Sequence, residues 1–526
     1  MAVQNQVDNS IDLSLSHHVG MFMGFMIAFV STTTTFPSLA LTTRAILQII
    51  TYQSCLIFYN LFFHPLAKYP GPRLAAATPL WVIWSYYKGK TPWDLLDLHN
   101  KYGPVVRTTP DGLSFINASQ WKEIYGHKPS GELEFSKDPK YHAGWKGEPV
   151  ILNADRHYHG YIRKLFAHGF SEKALREQEP ILQEYVDLLF HRLDSISQSE
   201  QPIDLVQWFN YFTFDFIGYL TFGESFECLE SSKMHTWVNI FFSLLKNMAL
   251  HQVVARLPKL AQYPASLLMI PSQVVTQVAT LNTLQKEKVN HRLKTQPPVP
   301  DFMEKMIAAH ESGKMSYHQL EENSQILIGA GSETTATLLS GLVWLLLKHP
   351  RVYDKLATEI RTMFERPEDI TMISVNECRY LLACIEETLR IYPPSPQPHP
   401  RVIPPGGATV DNEFLPEGTF VSIPIYAASN SPMNWTNPEE FAPERWIGED
   451  ARFENDKRDA SQPFQYGPRN CIGRNLAYVE MKIIMSRLLW HFDVMNATDY
   501  DWMDQRVFAV WEKSPLWVRL CPAKRT

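Results

Sequence analysis

Cys471 lies in the segment PFQYGPRNCIGRN, residues 463–475, with two glycines and two arginines around it and a helical pattern after it. Such a thiol could be packed in a core, form half of a disulfide, or serve as a ligand on a shaped loop. The six cysteines of the chain are sparse and irregularly spaced, which disfavours a disulfide framework. No histidine pair accompanies Cys378 and Cys384, which also disfavours zinc. We therefore expect Cys471 to be free.

A second segment with chemical potential, residues 326–347, reads ILIGAGSETTATLLSGLVWLLL. As a helix it would extend roughly 33 Å, enough to cross a bilayer. Glu333 opposes that interpretation, because a carboxylate within a bilayer needs a partner or a cavity. The alternative is a helix buried in a soluble domain, thinned at Gly329 and Gly331 where a bulky group lies against it. Glu333 and Thr334 would then form an acid–alcohol pair suited to proton delivery at a buried reaction centre.

Two further segments place acids and arginines together. Glu387 and Arg390 are three residues apart in CIEETLRIY, so their side chains meet on a helix. A surface pair of this kind contributes little to stability. Apolar neighbours favour a buried pair instead, and Arg445 in the segment PERW could complete a cluster with satisfied hydrogen bonds.

Together these segments resemble the cytochrome P-450 family of heme-thiolate monooxygenases. The matching patterns are AGSETT at 330–335, E-x-x-R at 387–390, PERW at 443–446 and F-x-x-G-x-R-x-C-x-G at 464–473, in the family's order. The resemblance covers roughly residues 65–526. It implies a mainly α fold with a small β portion (α+β), forming one large heme domain.

The resemblance also implies the cofactor and its ligands. Heme b would be held by the thiolate of Cys471, which favours O–O cleavage. A helix N-terminus would stabilise that thiolate, with Gly467 and Gly473 shaping the loop. Glu333 and Thr334 would deliver protons. The remaining residues expected at the heme are Phe464, which would pack near the thiolate, and Arg469, Arg401, His159 and Arg163, which would bind the propionates.

The position of His159 departs from the family pattern, which commonly has Trp-x-x-x-Arg where this chain has His159-x-x-x-Arg163. Glu387, Arg390 and Arg445 are implied to brace the heme-side core rather than to take part in catalysis.

The implied activity is insertion of one oxygen atom from O2 into an apolar small molecule. The sequence contains no G-x-G-x-x-G pattern after a strand, so electrons are expected from NADPH through a separate reductase, with cytochrome b5 as a further possible donor. Two other functions stay open: a membrane-tethered heme-binding or sensor protein without turnover, and a non-oxygenating rearrangement enzyme. The second is disfavoured by Glu333 and Thr334, because family members of that kind often lack the pair.

Hydrophobic periodicity predicts a mainly helical chain. The clearest predicted helices are 172–194, 236–255, 270–294, 317–348, 353–363 and 375–391. Strand-like segments are few. They are 104–108, 408–410 with 419–423 around Asp411 and Asn412, and 515–520.

The N-terminal region, residues 1–64, is expected to be a hydrophobic membrane anchor. The stretch 45–63 is the better candidate span, and 19–30 is short for one. A buried hydrophobic hairpin is the alternative. Residues 65–80 are proline-rich and predict a stiff hinge, followed by the catalytic domain, 81–526. The resemblance to microsomal members implies an endoplasmic reticulum membrane protein with a cytosolic catalytic domain.

The net charge is −6 without a long basic stripe, so nucleic-acid binding is not expected. The overall texture resembles fungal monooxygenases of specialised metabolism. The substrate is expected to contact residues 125–150, 207–222, 329–335 and 395–399. Phe212, Phe214 and Phe216 fit a core as well as a pocket.

Overall fold

The computed structural model describes Gly24 and residues 41–523, apart from 130, 142–146, 200 and 300. Helices dominate the described residues, which confirms the mainly α class with a small β portion. They are α1 Leu41–Phe62, α2 Arg73–Ala77, α3 Leu80–Lys88, α4 Thr91–Tyr102, α5 Ser119–Tyr125, α6 Arg156–Ala167, α7 Glu172–Ser197, α8 Leu205–Phe222, α9 Cys228–Ser231, α10 Thr236–Ala255, α11 Lys259–Met269, α12 Gln273–Lys294, α13 Glu304–Glu311, α14 Tyr317–Lys348, α15 Pro350–Met363, α16 Arg379–Ile391, α17 Ile425–Asn430, α18 Glu444–Ile447 and α19 Arg474–His491.

The strands are short and form small sheets. They are β1 Val105–Thr109, β2 Gly112–Phe115, β3 Ser136–Lys137, β4 Ile203–Asp204, β5 Arg401–Val402, β6 Ala408–Val410, β7 Glu413–Leu415, β8 Phe420–Ser422, β9 Phe492–Asn496, β10 Arg506–Phe508, β11 Val510–Glu512 and β12 Trp517–Pro522. The largest sheet has the order β1-β2-β8-β5-β3, and a second has the order β4-β12-β9.

The predicted pairing around Asp411 and Asn412 is wrong in one respect. Both residues have positive φ, 55° and 60°, which makes a tight two-residue turn that asparagine and aspartate tolerate. The turn joins β6 to β7, whereas β8 pairs with β2 and β5 in the largest sheet. The sequence pattern identified the turn but missed the short strand that follows it.

Helix α14 runs through the centre of the molecule and packs along α8. A capping box at Ser316 and Gln319 begins the helix. Of its most apolar window, 83% is buried inside the protein, so the buried-helix interpretation of 326–347 is confirmed over a membrane span. A Cβ on Gly329 would lie 2.3 Å from the Phe241 ring, and one on Gly331 would lie 3.2 Å from Ile217. The bulky groups against the two glycines are therefore side chains of the protein.

Predicted helix 375–391 is divided. A 3-10 turn, Ser374–Glu377, ends before Cys378, and α16 begins at Arg379. The Glu359 carboxylate accepts hydrogen bonds from the N–H groups of Tyr380 and Leu381 at 2.8 and 2.9 Å. This side chain satisfies the first free donors of α16 and stabilises its N-terminus.

Helix α1 has the opposite surroundings. Only 6% of its apolar window, Thr43–Phe62, is buried, and side chains such as Ile50 and Phe62 are exposed. The other apolar stretch, 19–30, lies outside the described residues except for Gly24. Segment 65–80 contains the short helix α2, and the carbonyl of Pro70 accepts the Arg107 N–H of β1 at 2.7 Å.

Candidate active site

Cys471 stands one turn before α19, on a loop fixed by its backbone. Its N–H donates to the carbonyl of Phe464 at 2.8 Å, which closes the loop on itself. Gly467 has φ +76°, and a Cβ there would lie 2.0 Å from the carbonyl oxygen of Tyr125. Only glycine fits that position. Gly473 has an ordinary φ of −82°, and its Cβ position is 3.9 Å from the Cys471 sulfur. Gly473 therefore leaves room beside the sulfur and places its backbone N–H there.

The Cys471 thiol keeps accessible surface although protein atoms crowd it. That burial raises the pKa of the thiol, while the Gly473 N–H and the guanidinium groups of Arg163 and Arg474 lower it. A thiolate here is supported by helix α19, whose N-terminus begins at Arg474. Among the described residues, no group of three or more His, Cys, Asp or Glu side chains could hold a metal ion.

Arg163 and Phe464 brace the loop. Arg163, on α6, donates from Nη1 and Nη2 to the main-chain and side-chain oxygens of Asn470 at 2.7 and 2.5 Å. The Phe464 ring lies 5.3 Å from that of Tyr478. The Arg474 guanidinium is 5.8 Å from the Phe464 ring. Both predicted residues thus contact the loop that carries Cys471. The guanidinium of Arg163 donates two hydrogen bonds to Asn470.

Three buried cations converge nearby, and we call Lys137, Arg401 and Arg469 the cationic cluster. Arg469 pairs with Glu134 and donates to the carbonyl of Ala154 at 2.9 Å. Lys137 and Arg401 are paired residues of strands β3 and β5. Lys137 donates to the carbonyl of Leu152.

The cationic cluster is short of negative charge. Burial lowers the pKa of Arg401 to about 10, and Arg469 adds to the effect. The pKa of Lys137 lies well below its ordinary value because of burial, followed by the repulsion of Arg401 and Arg469. Arg401 Nη1 is buried without a hydrogen-bond partner among the described residues. Among the residues that the structure describes, the cluster forms one ion pair, between Arg469 and Glu134, so three basic side chains suit a ligand with two negative charges.

His159 lies on α6, one turn before Arg163, and is buried. Burial lowers its pKa to about 3, with further lowering by Arg469, Lys137, Arg163 and Arg401. The imidazole is therefore neutral near pH 7 and can donate one hydrogen bond. A neutral donor adds no charge to the neighbouring cations.

These residues fit heme b. Cys471, the candidate iron ligand, lies close to the cationic cluster, and the two propionates of heme would match the missing negative charge. Arg401, with its free Nη1, and Lys137 and Arg469 would hold the propionates. Lys137 was missed from the sequence, since only the pairing of β3 with β5 brings it beside Arg401.

The middle of α14 opens to accessible space in one place. Between residues 326 and 346 every residue is buried except Ala330, Gly331 and Thr334. The Thr334 hydroxyl donates to the carbonyl of Ala330 at 2.7 Å. The predicted notch thus exists, and Ala330 and Thr334 form its surface.

In the described part of the chain, the side chains of Glu333 and Thr334 bond to different partners and not to each other. The Glu333 carboxylate is buried and forms an ion pair with Lys513. It also accepts a hydrogen bond from Thr337 at 3.3 Å. Burial raises the pKa of Glu333, and the Lys513 ammonium opposes that effect. No local pattern links Glu333 to Lys513, which lies 180 positions away.

The predicted acid–arginine cluster is confirmed. Glu387, Arg390 and Arg445 have fully buried side chains. Glu387 accepts from Arg390 at 2.8 and 2.9 Å and from Arg445 Nε at 3.0 Å. Two further members were missed: Trp446, whose indole N–H donates to Glu387 at 2.9 Å, and Asp456, 2.7 Å from Arg445. The cluster joins α16 to α18.

Residues expected at the substrate divide into two groups. Phe212, Phe214 and Phe216 are fully buried in the hydrophobic core. Phe214 packs against Trp237 of α10, and Phe216 packs against Tyr185 of α7. The accessible residues Ala330, Gly331 and Thr334 lie on α14 instead.

The chain is similar to known proteins over most of its length. The family model described as Cytochrome P450 matches residues 72–515. Cytochrome P450 monooxygenase hepD of Aspergillus oryzae is 44% identical over 89% of this chain and 92% of that protein. The trichothecene C-15 hydroxylase of Fusarium sporotrichioides is 41% identical over 90% and 96%. The averantin hydroxylase of Dothistroma septosporum is 40% identical over 89% and 88%.

Proposed function

Because the chain belongs to the cytochrome P450 family of heme-thiolate monooxygenases, we propose that it hydroxylates an apolar intermediate of fungal secondary metabolism. The family and enzyme class predicted from the motifs are confirmed, as are heme b and reductase-supplied electrons as its requirements. Hydroxylation is the proposed reaction because two of the similar proteins are named hydroxylases.

One observation supports the site assignment above the others: the Cys471 loop and the cationic cluster lie beside each other. Bound heme supplies the oxygen-activating chemistry, with the thiolate favouring O–O cleavage. The chain's own residues hold the ligand sulfur, neutralise the propionates and present Thr334 at the notch in α14. The apolar surroundings of that notch suit an apolar substrate.

We place the electron donor on the side of the molecule that carries the Cys471 loop. A depression of about 550 Å³ lies there, bordered by Phe464 and Asn470. Its charged border residues are Arg379, Arg458 and Arg474 together with Glu386 and Asp459, so basic groups outnumber acidic ones. Basic side chains favour an acidic partner surface. NADPH-cytochrome P-450 reductase, with cytochrome b5 as an additional donor, would dock at this depression.

The proposed location is the endoplasmic reticulum membrane, with α1 as anchor, segment 65–80 as connection and 81–526 as cytosolic catalytic domain. Helix α1 is apolar and almost wholly exposed along its length. Helix α11 has no buried residue, and its Leu260 and Leu268 are 91% and 86% exposed. Large exposed apolar surfaces of this kind indicate a membrane contact.

A cavity of about 560 Å³ lies between α1, α3 and the largest sheet. Its border includes Ile57 of α1, Tyr86 of α3 and Phe420 of β8. This position would let an apolar substrate enter from the membrane side.

Product analysis with isotopically labelled dioxygen tests the proposed reaction. The full chain in membranes, with reductase and NADPH, is supplied with candidate apolar intermediates. We expect one labelled oxygen atom in the product and the other in water. A product that carries no label from dioxygen would contradict monooxygenation and favour a rearrangement enzyme.

A further inference from the structure

A buried ion pair joins the C-terminal hairpin to the central helix. Lys513 directly follows β11, and its ammonium contacts Glu333 of α14. The same ammonium donates to the Thr337 hydroxyl at 2.7 Å. Both ionic side chains are only 3% exposed. A charge in such surroundings is stable only with a partner, so each depends on the other.

Of the titratable groups around the pair, Lys513 is the one that pairs with Glu333. Among the ion pairs of the described residues, Glu333 takes part only in the one with Lys513. Two other titratable groups lie close by: Asp204 near Lys513 and Tyr392 near Glu333. Asp204 already accepts the N–H groups of Val206 and Leu516 at 3.0 and 2.8 Å. The Tyr392 hydroxyl donates to Gln505 at 2.7 Å.

The pair also determines where the carboxylate lies. Consecutive residues of a helix point about 100° apart, whereas residues four apart share a face. The Glu333 carboxylate lies on the face of Thr337, and its second oxygen is buried without a hydrogen-bond partner in the described part of the chain. Thr334 lies on the accessible face. The acid is therefore held beside the notch rather than in it.

We propose that Lys513 is a positioning residue for proton delivery, which holds the Glu333 carboxylate ionised on the Thr337 face of α14 until a proton arrives. This role rests on the proposed monooxygenase function. Without the ammonium, a carboxyl group in this dry site is expected to stay protonated and to give up its proton reluctantly. With Lys513 in place, Glu333 can release a proton toward Thr334. The resulting carboxylate can then be protonated again.

Infrared spectroscopy of the full-length holoenzyme tests the charge state without turnover. We expect Lys513→Met to gain a protonated-carboxyl C=O band that the double variant Lys513→Met with Glu333→Gln lacks. Lys246→Met is the control, because Lys246 forms an exposed pair with Glu512, the neighbour of Lys513. Its spectrum should equal that of the wild type. A Lys513→Met spectrum without the new band would overturn the proposal.

The double variant also guards against a folding defect. If Lys513→Met alone fails to accumulate as holoenzyme, the double variant should recover, because it leaves no unpaired buried charge. Recovery would support the pairing. Failure of both variants would overturn the proposal, since Lys513 would then be needed for packing.

Peroxide release with NADPH, dioxygen and reductase tests the functional part. We expect Lys513→Met and Glu333→Gln each to raise the peroxide formed per NADPH consumed by about tenfold, a fraction of what a general acid contributes. The double variant should be no worse than either single variant, because the two residues act as a unit. Additive effects, or no effect, would overturn the role of Lys513. A wild type that consumes no NADPH would instead refute the proposed function and leave the infrared result intact.

Discussion

At the scale of single residues, the Thr334 hydroxyl is the polar group best placed for chemistry at the notch. It lies on the accessible face of α14 and donates to the Ala330 carbonyl. That local hydrogen bond keeps the hydroxyl oxygen available as an acceptor toward the notch. Thr334 therefore fits the last step of proton delivery, with Glu333 and Lys513 behind it.

Replacing Thr334 by alanine should leave heme bound and divert electrons to peroxide. The substitution removes the hydroxyl and keeps the helix, because alanine is a good helix former. We expect peroxide per NADPH to rise by about tenfold or more, in line with the loss of a proton-transfer group. Thr388→Ala is a matched control, since its hydroxyl also donates to a carbonyl four residues earlier, at 2.8 Å. Unchanged peroxide release in Thr334→Ala would contradict its role.

Sequence reasoning reached the residues that share a local motif and missed those that depend on tertiary structure. Cys471, Gly467 and Arg469 fall within one short segment, so the family motif that they form can be recognised from the sequence alone. Lys137 and Lys513 reach their sites only through the pairing of β3 with β5 and the packing of the C-terminal hairpin on α14. No local pattern marks either lysine.

At the scale of elements, α16 and α18 are joined by the Glu387 cluster. Each carboxylate oxygen of Glu387 accepts more than one hydrogen bond, and Arg390 also donates to the carbonyls of Ser429 and Pro438. Full satisfaction of this kind is what lets a buried ion pair persist. The surface pair of Arg366 and Asp369 has the same spacing and the same 2.8 Å separation but is largely exposed.

These two pairs give a matched comparison of burial. Arg390→Met should lower the free energy of unfolding by about 3–5 kcal/mol, because it leaves the Glu387 charge buried without one partner. Arg366→Met should leave it nearly unchanged, because solvent screens this exposed pair. Denaturant unfolding of the holoenzyme measures both. Equal effects of the two substitutions would show that burial does not strengthen the dependence on the pair.

Helix positions followed from periodicity, while some boundaries did not. The break before α16 arises from Glu359, whose carboxylate caps the helix from another element. Strand β7 was missed because Glu413–Leu415 contains no β-branched residue, unlike Ala408–Val410 of β6. Long amphipathic or buried helices such as α7 and α14 were the easiest to predict.

At the scale of the whole molecule, the proposed membrane contact rests on two exposed apolar surfaces. Helix α1 exposes its apolar side chains, and α11 exposes Leu260 and Leu268. The cavity of about 560 Å³ is bordered by Ile57 of α1 and by Leu257, which precedes α11. Helix α1, helix α11 and the cavity thus lie near one another.

Removing residues 1–63 should reduce membrane attachment without abolishing it, because α11 still offers apolar contact. Adding Leu260→Ser and Leu268→Ser to the truncated chain should release most of the protein. Flotation with phospholipid vesicles measures the bound fraction. The control is Met495→Ser, which changes an exposed apolar residue on β9. Complete release by truncation alone would contradict a contact through α11.

The fold class was predictable from composition, periodicity and the order of motifs over the whole chain. The sequence also distinguished the two apolar helices. The carboxylate of Glu333 indicated that α14 is buried in the protein and does not cross a membrane. The cavity was beyond sequence reasoning, because it is formed by elements distant in the chain.

The central claim is that Cys471 supplies a thiolate ligand to heme, and the reduced CO-difference spectrum tests it most directly. The full-length wild type should show the long-wavelength Soret band of a thiolate-ligated heme. Cys471→Ser should lose that band, whereas Cys228→Ser should keep it, because Cys228 is a buried core thiol whose pKa burial raises to about 12. A wild type without the band, or a Cys471→Ser variant that retains it, would contradict the account.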